Sequence, residues 1–236
     1  METGSIAGNL EKIRARIEKR CLAIGRDPTR IKIVAVSKTF PAPVIARAIK
    51  AGLKDFGENR IQEGIKKIDT IPPGPVWHFI GHLQRNKALR AAEYFDVIQS
   101  VDSIELAELL SRKCRELGKK LTILLQLNST EEGQKSGFSP AEILESADKI
   151  IELPELDTAG LMTIGPLTEN VDLIKRSFWL TKTVYDKLKK KYGDRFKWLS
   201  MGMSSDFEIA LEYGANILRI GTAIFGPRNN LTEGER

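Results

Sequence analysis

Two hydrophobic periodicities alternate along this 236-residue chain, and that alternation constrains its fold more than any other feature. Short apolar runs that are typical of buried strands are followed by longer segments whose apolar residues recur at helical spacing. Eight such units follow one another, and an amphipathic helix is predicted in front of them, over 9–24. The order predicts parallel strands joined by crossover helices, and eight units in this length favour a (β/α)8 TIM barrel with an extra N-terminal helix.

The predicted strands are the eight apolar runs at 31–36, 53–59, 76–81, 96–101, 120–128, 156–165, 196–203 and 216–226. Helical spacing predicts the helices between them at 43–51, 60–69, 84–95, 104–117, 139–151, 171–192 and 205–214. No linker divides the sequence. We therefore expect residues 1–236 to form a single domain, with 227–236 as a polar, frayed tail.

Composition excludes several classes of protein. The net charge of +6 raises the question of nucleic acid, but Lys and Arg alternate with Asp and Glu along the helical segments, so we expect a solvated surface and no nucleic-acid partner. Cys21 and Cys114 have no CxxC partner and indicate reduced thiols in a cytoplasmic protein. Two histidines are too few for most zinc sites, and no apolar run approaches the ~18 residues of a membrane span, so neither a metal nor a membrane is expected.

The segment IKIVAVSKTFP, residues 31–41, places Ser37 and Lys38 at the exit of the first predicted strand. The active site of a TIM barrel forms at the C-terminal ends of its strands. A lysine there can form a Schiff base with an aldehyde when its pKa is lowered by burial or by a neighbouring cation. In the alternative, Lys38 extends out of the barrel into solvent, and position alone slightly favours that alternative.

Two turns near the end of the chain favour a phosphate site. In SMGMSSDFEIAL, Ser200 ends strand seven, and a glycine turn leads to a helix start with Ser204 and Ser205 in capping position; RIGTAIFG puts Gly221 and Thr222 after strand eight. The loops after strands seven and eight of a TIM barrel frequently bind phosphate. The alternative is that the serines only cap the helix and the glycine only permits a turn.

Arg219 lies two residues before Gly221 and therefore points in the same direction, into the barrel mouth. An inward arginine needs an acceptor or a negative partner. An aldehyde that carries a phosphate and a pyridine ring would satisfy all three features. Lys38 would take the aldehyde, the two turns the phosphate, and Arg219 the ring nitrogen.

Six segments resemble the pyridoxal phosphate homeostasis protein family, whose members are single-domain relatives of the alanine racemase barrel: VAVSKTFP, FGENRIQE, WHFIGHLQRNK, GLMTIGP, LSMGMSSDFEIAL and RIGTAIFG. The resemblance spans Asn9 to Pro227. It implies pyridoxal 5′-phosphate (PLP) as a covalent aldimine on Lys38. It also implies binding by Asn59, Ser200, Met203, Ser204, Arg219, Gly221 and Thr222, with His82 as a ring-stacking or mouth-lining residue.

The same residues favour a carrier over an enzyme. An arginine opposite the ring nitrogen keeps that nitrogen unprotonated and weakens PLP as an electron sink. In the related racemases a tyrosine from a second domain supplies the second acid/base group, whereas the four tyrosines here fall in helical patterns: Tyr94, Tyr185, Tyr192 and Tyr213. We therefore expect no catalytic residues and a role in buffering or delivering PLP as a monomer, with apo-PLP enzymes as recipients.

Two enzymatic alternatives stay open. One is a weak racemase or another PLP enzyme that transforms amino acids. The other, from the fold alone, is a phosphosugar isomerase or an aldolase that uses Lys38, although aldolase lysines usually come from later strands. Loss of α-deuterium from amino acids would favour the first alternative, and the absence of a coloured cofactor would favour the second.

Overall fold

The protein is a closed barrel of eight parallel strands, in which each strand pairs with its sequence neighbours and β8 closes the barrel against β1. The computed structural model describes residues 5–130 and 136–227. The strands are β1 Lys32–Val36, β2 Asp55–Glu58, β3 Val76–Phe79, β4 Val97–Val101, β5 Leu121–Gln126, β6 Leu156–Met162, β7 Trp198–Ser200 and β8 Ile217–Ile220. The predicted TIM barrel is thus confirmed. The predicted frayed tail falls, apart from Pro227, outside the described residues.

Helices surround the barrel: α1 Ile6–Ala23, α2 Ala42–Lys50, α3 Ile61–Thr70, α4 Ala88–Tyr94, α5 Ile104–Glu116, α6 Pro140–Ile151, α7 Val171–Tyr192, α8 Phe207–Glu212 and α9 Thr222–Phe225. Short 3₁₀ turns occupy Pro28–Arg30, Arg85–Lys87 and Gly193–Arg195. The extra N-terminal helix α1 packs against α8 and α9, and its Asn9 side chain donates to the Ile224 carbonyl at 3.0 Å. None of the described helices is long and apolar enough to cross a membrane.

Several element boundaries have a local cause. Helix α1 begins at Ile6 rather than at residue 9, because the Ser5 hydroxyl caps it by accepting from the Gly8 amide. Helix α6 begins at Pro140, one residue inside the predicted range, with Ser139 and Glu142 in a reciprocal capping box. Strand β7 is shorter than the predicted 196–203, since the backbone turns soon after Ser200, where Gly202 adopts φ 93°.

Most of the hydrophobic core lies between the barrel and its helices. A smaller apolar cluster fills part of the barrel interior: Val34, Leu124, Ala159, Met162 and Ile217. Buried polar side chains from five strands share that interior, and one of their hydrogen bonds joins β4 to β7. Because β4 and β7 are not neighbours in the barrel, this bond spans its interior and links opposite walls below the mouth.

Candidate cofactor-binding site

A cavity of about 380 Å³ opens at the C-terminal ends of the strands. Five of the nine predicted binding residues line it: Lys38, Asn59, His82, Met203 and Arg219. The other four, Ser200, Ser204, Gly221 and Thr222, are not among the lining residues and lie below or beside them. Ligand pockets of this kind usually measure ~300–1,000 Å³, so a small cofactor fits the space.

Lys38 reaches the cavity because of its position just after β1. Side chains alternate across a strand, and Val34 belongs to the interior cluster while Val36 lines the cavity. Lys38 continues that inward row and is partly buried. The neighbouring Ser37 instead faces α3, where its hydroxyl donates to Glu58 at 2.6 Å. The lysine therefore opens into the mouth rather than into bulk solvent, as the Schiff-base interpretation requires.

Arg219 is buried at the base of the cavity, at 4% exposure. It donates to the Ser200 hydroxyl and to the Thr163 carbonyl, both at 2.7 Å. Burial lowers the pKa of Arg219 to about 10, and the nearby carboxylate of Asp206 opposes this shift. The guanidinium is thus charged at neutral pH and is held from two sides, with further N–H donors in the same planar group.

A buried hydrogen-bonded chain continues below Arg219, and sequence reasoning missed it. The Ser200 hydroxyl donates to Gln99 Oε1 at 2.6 Å, and Gln99 Nε2 lies 3.0 Å from His78 Nδ1. His78 Nε2 lies 3.0 Å from Asp55 Oδ1, which also accepts from Lys32 at 2.7 Å. The only sequence signal was a polar residue at an inward position of each of these short strands. Ser200 therefore supports Arg219 instead of lining the cavity itself.

The turns after β7 and β8 meet at Ser204. Its hydroxyl oxygen accepts from the backbone amides of Gly221 and Ala223, each at 3.3 Å. Two amides thus converge on one oxygen, which is the arrangement that a phosphate oxygen needs. Thr222, the first residue of α9, lies between these amides and is exposed.

The expectation that Ser204 and Ser205 sit in capping position for the next helix is wrong. Helix α8 starts later, at Phe207, and its N-cap residue is Asp206, which makes no side-chain capping bond to that helix. The Asp206 carboxylate instead accepts from the Met203 amide at 2.5 Å. Ser204 is consequently directed to the neighbouring turn after β8.

His82 lies at the rim of the cavity with 60% of its side chain exposed. Its Nδ1 atom is 3.2 Å from both the Ser136 hydroxyl and the Asp102 carboxylate. A Ser-His-Asp relay needs one partner on each ring nitrogen, whereas here both partners approach the same atom. This cluster is therefore a polar rim and not a nucleophilic triad.

Further lining residues come from the ends of β3 and β5 and were not predicted as binding residues: Ile80, Gly81, Gln126, Leu127, Asn128 and Ser136. The Gln126 side chain donates to the Ser136 carbonyl at 2.6 Å and so ties the end of β5 to the following loop. A Cβ atom on Gly81 would lie 2.3 Å from the Asn59 carbonyl oxygen. Only glycine permits this close approach. The glycine is visible in the segment WHFIG, but the sequence does not indicate which part of the chain it approaches.

Within the described residues, no tyrosine lines the cavity. Tyr185 packs against Phe196 with the rings tilted and their centroids 5.7 Å apart, and burial raises the pKa of Tyr185 to about 12. The Tyr192 hydroxyl donates to Asp148 at 2.7 Å on the outer helix layer. These two tyrosines are engaged far from the mouth, as their helical patterns predicted.

Residues 4–229 match the family model described as alanine racemase, N-terminal domain. Two relatives named pyridoxal phosphate homeostasis protein, from Haemophilus influenzae and Escherichia coli K12, are 38% and 41% identical to this chain over 232 residues. The alignments cover 97% and 95% of this chain and 98% and 97% of the two relatives.

Solved structures agree with that assignment. PipY of Synechococcus elongatus PCC7942, solved without and with PLP bound, is 37% identical and superposes with TM-scores of 0.85 and 0.83 over 94% of this chain and all of PipY. An alanine racemase from Clostridium difficile 630 shares the fold at 18% identity and a TM-score of 0.76, over 95% of this chain and 56% of the racemase. This chain therefore belongs to the pyridoxal phosphate homeostasis protein family.

Proposed function

We propose that this protein binds PLP in the mouth of its barrel and acts in PLP homeostasis inside the cell, as a buffer or a delivery protein. One observation carries the proposal: Lys38, two residues after β1, and Arg219, in the neighbouring strand β8, face the same cavity of about 380 Å³. An amine and a guanidinium that face one small cavity suit a ligand with an aldehyde and a ring acceptor.

Lys38 supplies the covalent link. The Lys38 amine would hold PLP by condensing with the cofactor's aldehyde group, whose oxygen would leave as water. Inward placement at the end of β1 directs the amine into the cavity. No other lysine lines the cavity among the residues that the structure describes.

The turns after β7 and β8 are the proposed phosphate site. The amides of Gly221 and Ala223 already converge on one oxygen, that of Ser204. A phosphate oxygen can take this position when the Ser204 hydroxyl rotates to donate, and the Thr222 hydroxyl adds a further donor. Hydrogen bonds to a charged group contribute ~1.5–3 kcal/mol each, so this turn anchors the cofactor even without the covalent link.

The charge of Arg219 favours a carrier. When bound, PLP supplies an electron sink, and the strength of that sink depends on protonation of the ring nitrogen. A guanidinium whose pKa is about 10 stays charged at neutral pH and opposes a second positive charge on the ring. No tyrosine lines the described mouth, so the group that serves as the second acid/base in the related racemases has no counterpart in that part of the chain.

The relatives and the cysteines support the same proposal. Proteins 38–41% identical to this chain carry the name pyridoxal phosphate homeostasis protein, and PipY has been solved with PLP bound. Cys21 and Cys114 are free and buried, which suits the reducing cytosol in which we place the protein. Apo-PLP enzymes are the proposed recipients.

Two assays test the function. The PLP-loaded protein should restore activity to an apo-PLP enzyme on mixing, because the cofactor is held reversibly. A panel of L- and D-amino acids in deuterated water should show α-proton exchange far below enzymic turnover. Exchange or racemisation at ~1–10³ per second would overturn the carrier proposal. Failure of the loaded protein to release PLP to any apo-enzyme would restrict the proposal to buffering.

A further inference from the structure

The turn that carries Lys38 has a strained backbone. Thr39 adopts φ 73°, and it is the one residue other than glycine with a positive φ in the described part of the chain. This left-handed region is a genuine outlier for a β-branched residue. Such conformations persist only where the surroundings hold them, and they concentrate at functional sites. The question is therefore which groups hold this turn.

Two side chains of α3 hold the backbone on both sides of Lys38. Glu63 Oε1 accepts from the Thr39 amide at 2.5 Å. Lys67 Nζ donates to the Ser37 carbonyl at 2.8 Å. One bond precedes the lysine in the chain and the other follows it, so the Cα atom of Lys38 lies between two fixed points.

These two side chains are themselves fixed. Glu63 and Lys67 are four residues apart on α3 and lie 2.7 Å from each other, a spacing that brings side chains together on a helix. Lys67 is 5% exposed and also lies 2.7 Å from the fully buried Glu58, which accepts from the Ser37 hydroxyl. A buried lysine is held in place by such partners, because leaving it unpaired is costly.

We propose that Glu63 and Lys67, supported by Glu58, form a clamp that holds the turn of residues 37–39 and thereby aims the Lys38 amine at the cofactor. They are positioning residues, since they act through the backbone and do not line the cavity. The proposal rests on the proposed function only for the chemistry at Lys38. When the clamp is removed, Thr39 relaxes to a negative φ and the Lys38 side chain leaves its direction. Covalent attachment requires the reacting atoms at ~3–3.5 Å, so this loss of aim weakens it.

Glu63→Ala is the first test, because Glu63 retains 24% side-chain exposure and its removal leaves Lys67 paired with Glu58. The readout is PLP fixed to Lys38 by borohydride over a range of PLP concentrations. The apparent dissociation constant for fixed PLP should rise about tenfold. Asp69→Ala on the exposed face of the same helix is the matched control and should leave it unchanged.

Two further variants separate aiming from general disruption. Glu63→Gln retains an oxygen that can accept from the Thr39 amide, and should stay close to wild type. Adding Thr39→Gly to Glu63→Ala should lower the apparent dissociation constant for fixed PLP about fivefold relative to Glu63→Ala alone. Glycine adopts the positive φ without the penalty that threonine incurs. A role limited to folding predicts no such recovery.

A readout without PLP completes the test. In the apoprotein, the amide of Thr39 should exchange with solvent faster in Glu63→Ala than in wild type or Asp69→Ala, because Glu63 is its acceptor. Wild-type values in Glu63→Ala for both amide exchange and labelling would overturn the clamp. If Thr39 amide exchange is faster in Glu63→Ala but the wild-type protein shows no label on Lys38, the clamp stands and the proposed covalent function is contradicted.

Discussion

The two sides of the barrel mouth are built in different ways. On the β1 side, the turn after Val36 is held by charged groups, namely Glu58, Glu63 and Lys67, around a strained threonine. On the β7 and β8 side, the turns are held by backbone amides, a serine hydroxyl and glycines. The first side is sensitive to the loss of a side-chain acceptor or of the buried lysine, and the second to the gain of a Cβ atom or the loss of a hydroxyl.

This difference follows from the proposed task of each side. A covalent bond demands that one amine be aimed within a few tenths of an ångström, which a network of strong hydrogen bonds can do. A phosphate is bound by many donors at once, and close approach of the backbone matters more than any one side chain.

The largest effect is expected for Lys38→Ala. Covalent attachment should be abolished, while some PLP stays bound because the contacts of the β7 and β8 turns remain. Borohydride labelling measures the first and equilibrium dialysis the second. Lys54→Ala, at the opposite end of the barrel, is the control and should label as wild type does. Complete loss of PLP binding in Lys38→Ala would mean that the two sides are not independent.

The next largest effect is a steric one on stability, and it is expected in the turn after β7. Gly202→Ala should lower the free energy of unfolding by about 2–4 kcal/mol, since φ is 93° and the new Cβ atom would lie 2.6 Å from that of Ala210. Gly118→Ala also has a positive φ but meets nothing within 4 Å, and should cost only about 1 kcal/mol. Urea unfolding measures both. Equal decreases in the free energy of unfolding in the two variants would contradict a stabilising role for close packing at the β7 turn.

A smaller effect is expected for Thr222→Ala. Loss of one hydroxyl donor to the phosphate should weaken PLP binding about tenfold and reduce the preference for PLP over pyridoxal, because backbone donors remain. Fluorescence titration with each ligand measures the change. Thr183→Ala on α7, a half-buried threonine that does not line the cavity, is the control. Unchanged affinity and unchanged preference would place the phosphate elsewhere.

The smallest effect concerns the pH dependence of stability. Burial raises the pKa of Glu58, and Lys67 opposes the shift. The folded state therefore binds this proton more readily than the unfolded state, so stability falls as pH rises from about 4.3 to the raised pKa.

Glu58→Gln should flatten that fall, whatever its effect on absolute stability. Glu155→Gln should act with the opposite sign and in a more acidic range. The pKa of Glu155 is lowered to about 2 by Arg115 and Ser111, so its contribution is lost as pH falls. Urea unfolding between pH 2 and 7 measures both slopes, and an unchanged slope in Glu58→Gln would contradict the direction of the Glu58 shift.

Sequence periodicity predicted the barrel because alternating strand and helix patterns repeat over the whole chain, and α7 even has its predicted bounds, 171–192. Strand parity likewise predicted the inward direction of Arg219, whereas for Lys38 position alone had slightly favoured a side chain that extends into solvent. Periodicity says which way a side chain points but not what it meets across the barrel. Gln99 and Ser200 are 101 residues apart, so nothing local indicated their bond.

The charged clamp was missed for a related reason. Lys67 belongs to a helix that reads as IQEGIKKI, where a second lysine looks like an ordinary solvated residue. Its burial depends on how α3 packs over the end of β2, which the sequence pattern does not encode. The misassigned caps at Ser204 and Ser205 reflect local ambiguity, because Ser and Asp cap helices about equally well and Asp206 follows directly.

The most direct test of the central claim is the site of attachment in the wild-type protein. PLP-loaded protein is reduced with borohydride, digested, and mapped by mass spectrometry. The account predicts one pyridoxyl group per chain, on the peptide that contains Lys38, and none on that peptide in Lys38→Ala. A label on another lysine with Lys38 unmodified, or bound PLP that borohydride fixes to no lysine, would contradict it.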